Sequence, residues 1–169
     1  MLDILTRANE TNKNNDLISF IEGHIEAADR KKADFIRTLT TAVCSSAIER
    51  TGPQQCECRT EVLKKRKTVL LKYIDCSKEL ELESLYALQE LVEELEHPRD
   101  LLRVLFNELY QGDVISEETF FVWETSKESP VGKGSALSSV KDFLVWLRKA
   151  EEESNEEEET TATTPTNLA

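Results

Sequence analysis

Two stretches near the C-terminus set aromatic side chains beside grouped carboxylates. The first, DVISEETFFVWETSKES (113–129), carries Glu117, Glu118, Trp123, Glu124 and Glu128. The second, DFLVWLRKAEEESNEEEE (142–159), carries Trp146, then Glu151, Glu152 and Glu153, then Glu156 to Glu159. Carboxylates in this pattern attract Lys and Arg. One exposed ion pair contributes only about 0 to 1 kcal/mol. A cluster does more, because its summed field steers and holds a basic partner. The expected chemistry is therefore noncovalent capture of a basic protein segment. A helix C-terminus favours cations, so Glu151 to Glu153 oppose the helix that carries them. Solubility or a basic partner accounts for them; local stability does not. Trp123 and Trp146 lie among apolar residues and are read as mainly core, with the acids doing the docking.

Other residues able to do chemistry do not combine. Cys44, Cys56, Cys58 and Cys76 suit a reducing compartment. With His24 and His97 they give no zinc-finger spacing. Gly132 and Gly134 in VGKGS lack the spacing of a P-loop. No catalytic residue, metal or cofactor is expected, and the chain is read as noncatalytic. The formal net charge of -12 disfavours nucleic acid or an anionic membrane as primary partner. Lys64, Lys65, Arg66, Lys67 and Lys72 make one basic helix face within 60–74, which leaves RNA binding as a competing reading. Its plainer meaning is a solvated face in an acidic chain. No apolar run reaches the roughly 20 residues needed to cross a bilayer. The N-terminus lacks the apolar stretch of a secretory signal, so a cytoplasmic protein is expected.

The elements that must position the two acidic stretches are helical throughout. Apolar residues recur at three- and four-residue steps from Asp16 to Ala150, and no segment alternates with the period of a strand. Helices are expected over LISFIEGHI from Leu17, from about Asp29 to Glu49, from Thr60 to about Ile74, and from about Ser77 to Glu96. Further helices should run from Pro98 toward Gly112, from Ser116 through Trp123, and from about Ser135 to Glu152. Residues 52–59 read as a loop. Leu105, Phe106, Leu109, Val140, Leu144 and Leu147 are the expected core of the C-terminal half. Helical pairs begin near residues 16, 60 and 99, roughly 35 to 45 residues apart, the length of a HEAT-type repeat. The expected fold is all-α, a HEAT-like α-solenoid of antiparallel helix pairs.

The two aromatic and acidic boxes on this helical frame resemble the W2 domain of translation initiation factors. Within that family the chain resembles the C-terminal HEAT domain of the initiation factor 4G group. The likeness rests on TAVCSSAI (41–48), LYALQELVEELEHP (85–98), LLRVLFNELY (101–110), FVWETSKE (121–128) and GKGSALSSVKDFLVWLRKAEEES (132–154). It implies a protein-docking platform in translation initiation. In the 4G group the domain recruits MAP kinase-interacting kinases; in other members the boxes bind lysine-rich segments of initiation factor 2. The residues so implicated are Glu117, Glu118, Trp123, Glu124, Glu128, Trp146, Glu151, Glu152 and Glu153. The organisation expected is a flexible segment or helix remnant at 1–15, a W2 domain at 16–153, and a disordered acidic and Thr-rich tail at 154–169. A monomer is expected, either a fragment of a longer factor or a relative consisting of this domain alone.

Overall fold

The computed structural model describes residues 14–52, 55–129 and 131–161, with 151–161 described by backbone alone. Most of the segment expected to be flexible, 1–13, and the end of the tail, 162–169, lie outside the described residues. The helices are α1 (Asn14–His24), α2 (Ala33–Ser46), α3 (Thr60–Ile74), α4 (Lys78–Glu94), α5 (Leu101–Gln111), α6 (Glu117–Thr125) and α7 (Lys133–Thr161). A single 3-10 turn spans Asp29–Lys31, and β1 (Ile48–Gly52) pairs with β2 (Gln55–Cys58) in an antiparallel hairpin.

Helices pack on their second neighbours in sequence. α2, α4 and α6 form one layer; α1, α3, α5 and α7 form the other. This is the two-layer order of a helical solenoid, in which each pair buries its apolar face on the next. The all-α, HEAT-like expectation holds. The expected C-terminal core is also buried: Leu105, Phe106, Val140 and Leu147 are fully enclosed, and Leu109 and Leu144 nearly so. Polar contacts index α2 on α4. Thr40 Oγ1 donates to Ser84 Oγ at 3.1 Å, and Arg37 joins Glu83 and Glu90 while lying over the Tyr86 ring.

Several boundaries differ from the periodicity. α1 opens at Asn14 rather than Leu17, and α2 at Ala33 rather than about Asp29, the 3-10 turn taking Asp29–Lys31. α2 ends at Ser46 rather than Glu49, and the segment read as a loop forms the hairpin. Cys56 and Cys58 are half-buried on one side of β2 while Gln55 and Glu57 face solvent, a true period of two over four residues. Arg59 closes the junction, donating its backbone N–H to the Ala47 carbonyl at 2.7 Å and Nη2 to the Ser46 carbonyl at 3.0 Å. Those carbonyls would otherwise end α2 without partners. α4 ends at Glu94, two residues early, because Glu96 and His97 take left-handed backbone before Pro98. α5 opens at Leu101, after Asp100 at φ 61°, rather than at Pro98. α7 runs past Glu152 to Thr161. Glutamate is a good helix former inside a helix, and that propensity outweighs its poor placement at a C-terminus.

Candidate docking surface

The surface is assembled on α6 and α7. Glu81 of α4 sets the start of α6. Its buried Oε2 accepts from the Ser116 backbone N–H at 2.8 Å, from Ser116 Oγ at 2.5 Å and from Thr119 Oγ1 at 2.7 Å. Ser116 is the N-cap by position, yet its hydroxyl meets Glu81 and, at 2.9 Å, Thr119 Oγ1 instead of capping a backbone N–H of α6. The carboxylate supplies the negative charge that a helix N-terminus favours.

Trp123 is fully buried and forms the floor. Its Nε1 donates to Gln89 Oε1 at 3.1 Å, and Gln89 Nε2 donates in turn to the carbonyls of Ser129 and Val131. The Lys133 ammonium sits 3.5 Å from the Trp123 ring centroid and donates to the Trp123 carbonyl. Burial pulls the Lys133 amine down to about 8. Phe106 packs edge-on to Trp123 at 5.0 Å, and Phe120 on Phe143 at 5.2 Å, locking α5, α6 and α7 together. Trp123, implicated by the resemblance and read from its apolar neighbours as mainly core, is core.

Trp146 is different. It is 47% exposed, against an expected place in the core. Its ring meets Tyr110 edge-on at 5.7 Å and Phe143 at 6.0 Å, and the remainder faces solvent. Val145, its neighbour on α7, and Val122 on α6 are exposed as well.

The acids divide into separate settings. Glu124 is bound by Arg148 of α7, whose guanidinium also lies over the Phe121 ring. Glu118, at the other end of α6, is paired with Lys78. Glu117 is half-buried, and together with Asp113 it adds to the burial that raises the Tyr110 phenol. Glu128 is exposed and accepts a long 3.4 Å bond from the Tyr86 hydroxyl, which also meets Ser126 Oγ. Glu151, Glu152 and Glu153 continue α7 beyond Arg148, with their side chains outside the described residues. Box one therefore meets box two through Glu124, while Glu118 points to α4.

The competing basic face shrinks in the structure. Arg66 is buried, donates Nη1 to Asn14 Oδ1 at 3.0 Å, and has its pKa lowered by that burial. Lys72 is paired with Glu22 at 2.8 Å. Lys64, Lys65 and Lys67 remain. Cys44 is fully enclosed and burial raises its thiol; the Cys58 thiol is pushed up to about 11 by burial first and the charge of Glu108 second. Both are held as neutral thiols at neutral pH.

Sequence reasoning missed three residues that shape this surface: Arg148, Glu81 and Asp142. Arg148 lies four residues after Leu144 on α7, a spacing that puts it on the α6 side. Glu81 carries no local signal, being one of several glutamates on α4. Asp142 lies four residues before Trp146 and so shares its face.

The family model described as eIF4-gamma/eIF5/eIF2-epsilon, W2, matches residues 80–157. Eukaryotic translation initiation factor 4 gamma 3 of Mus musculus is 42% identical over 138 residues, 80% of this chain and 9% of that protein. Its Homo sapiens counterpart is likewise 42% identical over 138 residues. Eukaryotic translation initiation factor 4 gamma 1 of Mus musculus is 41% identical over 141 residues, 82% of this chain and 9% of that protein. The chain thus spans less than a tenth of the length of these relatives. Among solved structures, the C-terminal domain of translation initiation factor 5 at low pH superposes with a TM-score of 0.67 at 20% identity, covering 93% of this chain and 96% of that one. That likeness is one of fold.

Proposed function

The chain carries a W2 domain, a protein-interaction module of translation initiation factors, and from that premise we propose that it docks a Lys/Arg-rich segment of an initiation partner on α6 and α7. The observation that supports this most is the contact between the two boxes. The Glu124–Arg148 pair and the Arg148–Phe121 contact put box one beside the helix that continues into Glu151, Glu152 and Glu153. Glu124, Glu128 and the acidic end of α7 form the docking field, Trp146 supplies the exposed aromatic surface, and Trp123 holds the floor. Glu118 extends the field toward α4, and Glu117 toward Tyr110 on α5. The docking unit is residues 16–153, acting in the cytoplasm without a chemical step of its own.

The relatives at 41–42% identity are 4-gamma factors. The partner proposed on that likeness is the basic segment of a MAP kinase-interacting kinase. A lysine-rich segment of initiation factor 2 is the alternative occupant of the same surface.

The test is a titration of both basic peptides by fluorescence anisotropy. Binding is expected to weaken steeply with salt, because the Debye length falls from about 8 Å at physiological ionic strength to about 3 Å at 1 M. Replacing Glu124 and Glu128 with Lys is expected to abolish it, and replacing Glu151, Glu152 and Glu153 with Lys to weaken it. Replacing Lys64 and Lys65 with Glu should not weaken it. Unchanged affinity after both acidic reversals would reject the proposal, and the tighter of the two peptides identifies the partner class.

A further inference from the structure

We infer that the groove between α6 and α7 seats the apolar face of a partner helix whose last turn carries the basic residues, an inference that rests on the docking reading above. The groove is about 390 Å³ and is lined by α6 and α7 alone. Leu137, Lys141, Leu144, Val145 and Arg148 recur at three- and four-residue steps, so they form one row along α7, with Glu124 of α6 beside them. Leu144 is enclosed, Leu137 is half-buried and Val145 is 43% exposed, which leaves a strip of uncovered aliphatic surface. Charge is ordered along this strip. Lys141, toward the start of α7, is exposed and enters no ion pair among the described residues. Asp142, next in sequence, lines a different depression with Trp146. Glu124 is held by Arg148, and its charge also reaches Lys133. The first part of the strip is therefore positive and its middle balanced. One turn beyond Arg148 the row comes to position 152, within the acidic end of α7.

The row from 137 to 152 is about 22 Å long at the helical rise. Its occupant must lay aliphatic side chains along one edge for about four turns, with a carboxylate at Lys141 and cations at the acidic end. A helix with apolar residues at i, i+3, i+4 and i+7 does this. The charge order also suits that helix by itself, which favours acids in its first turn and Lys or Arg in its last. It would run in the same direction as α7, as α5 already does, since Phe106 meets Phe143 and Tyr110 meets Trp146. A segment basic from end to end fits less well, because its first residues would lie against Lys141. The lysines of the docked segment thus account for one half of recognition, and aliphatic contact with one carboxylate for the other.

Three peptides of equal length test it. The first has an acidic first turn, leucines at helical spacing and a lysine-rich last turn. The second has the two charged ends exchanged, and the third has serine in place of leucine. By fluorescence anisotropy the first is expected to bind about tenfold tighter than either of the others. It should gain helical circular dichroism on binding. Lys141→Glu should bring the first two peptides within about twofold of each other, and Val145→Asn should narrow the gap between the first and third to about threefold. Both positions are exposed, so the melting temperature should hold. Equal affinity of the first two peptides for the unmodified chain would overturn the oriented helix, as would leucines replaceable without loss or preferences that survive both variants. In each of these cases the lysine-rich peptides still bind and the docking reading stands. If no peptide with a lysine-rich end binds, the docking reading falls and the helix with it. Sedimentation of the chain alone tests a second copy as occupant: a dimer that Val145→Asn dissolves would overturn the partner helix.

Discussion

The Arg148 guanidinium on α7 holds the Glu124 carboxylate on α6 and lies over the Phe121 ring, 5.2 Å from its centroid. One cation thus joins the two acidic boxes and partly occupies the first. Arg148→Ala is expected to leave folding stability within about 1 kcal/mol, since the pair is partly exposed. It should tighten binding of a basic peptide a few-fold, because Glu124 no longer has an internal partner. Chemical denaturation and anisotropy read the two effects. Weaker binding in Arg148→Ala would mean that the bridge organises the site instead of competing for it.

Glu81 is expected to be the most costly single acid to remove. It is 4% exposed and one oxygen accepts three hydrogen bonds at the start of α6. Glu81→Ala strands those donors and should destabilise by about 2 to 3 kcal/mol. Glu83→Ala, on the same helix but outside this network, should cost less. The urea midpoints of the two variants decide it.

Leu105→Ala and Leu144→Ala should each cost about 2 to 5 kcal/mol by opening cavities in a packed core. Val145 neighbours Leu144 in sequence but is 43% exposed, so Val145→Ala should cost no more than about 0.5 kcal/mol. A thermal melt of the three variants checks the phase of α7.

Lys133 sets a pH dependence. Its amine is drawn from the ordinary 10.5 down to about 8 by burial against Trp123. Between those values the unfolded chain holds the proton and the folded chain does not. Folding stability should therefore rise with pH across that window, relative to Lys133→Met. The ammonium lies 3.5 Å from the Trp123 ring centroid, so Trp123 emission should change with a midpoint near pH 8 and lose that step in Lys133→Met. A flat emission profile through pH 8 would show that the ring and the nearby carbonyl hold the proton in place.

Sequence periodicity located the α5 and α7 core because Leu105, Phe106 and Leu109, like Val140, Leu144 and Leu147, repeat at helical steps. It could not separate Trp146 from Trp123. FLVWL at 143–147 is apolar around more than a full turn, so spacing alone cannot say which residues face inward. Packing decides it: Phe143, Leu144 and Leu147 are buried, and Val145 and Trp146 are exposed. The hairpin escaped notice for a different reason. Its alternation lasts only from Gln55 to Cys58, and Glu49, Arg50 and Glu57 give it no apolar face to read. The bond between Glu124 and Arg148 spans 24 residues, and Glu81 meets Ser116 across 35, separations at which a single sequence carries no pairing signal.

The bond from Glu81 to Ser116 and Thr119 has a consequence for how this surface can change over descent. The direction of α6 is fixed by a neighbour two helices back, not by the connection that leads into it. The connection keeps its own limits, since Gly112 is buried with a Cβ there meeting the Glu108 carbonyl at 3.0 Å, Asp113 holds φ 55°, and Val114 and Ile115 are buried, but it does not by itself set the direction of the acidic face. Glu81, Ser116 and Thr119 cannot drift separately. Loss of the acid leaves the Ser116 N–H and one of two hydroxyls, which otherwise meet only each other at 2.9 Å, without their acceptor, and loss of the hydroxyls leaves a carboxylate enclosed with one donor. The three should be inherited as a set, with the face on α6 free to acquire new specificity around them.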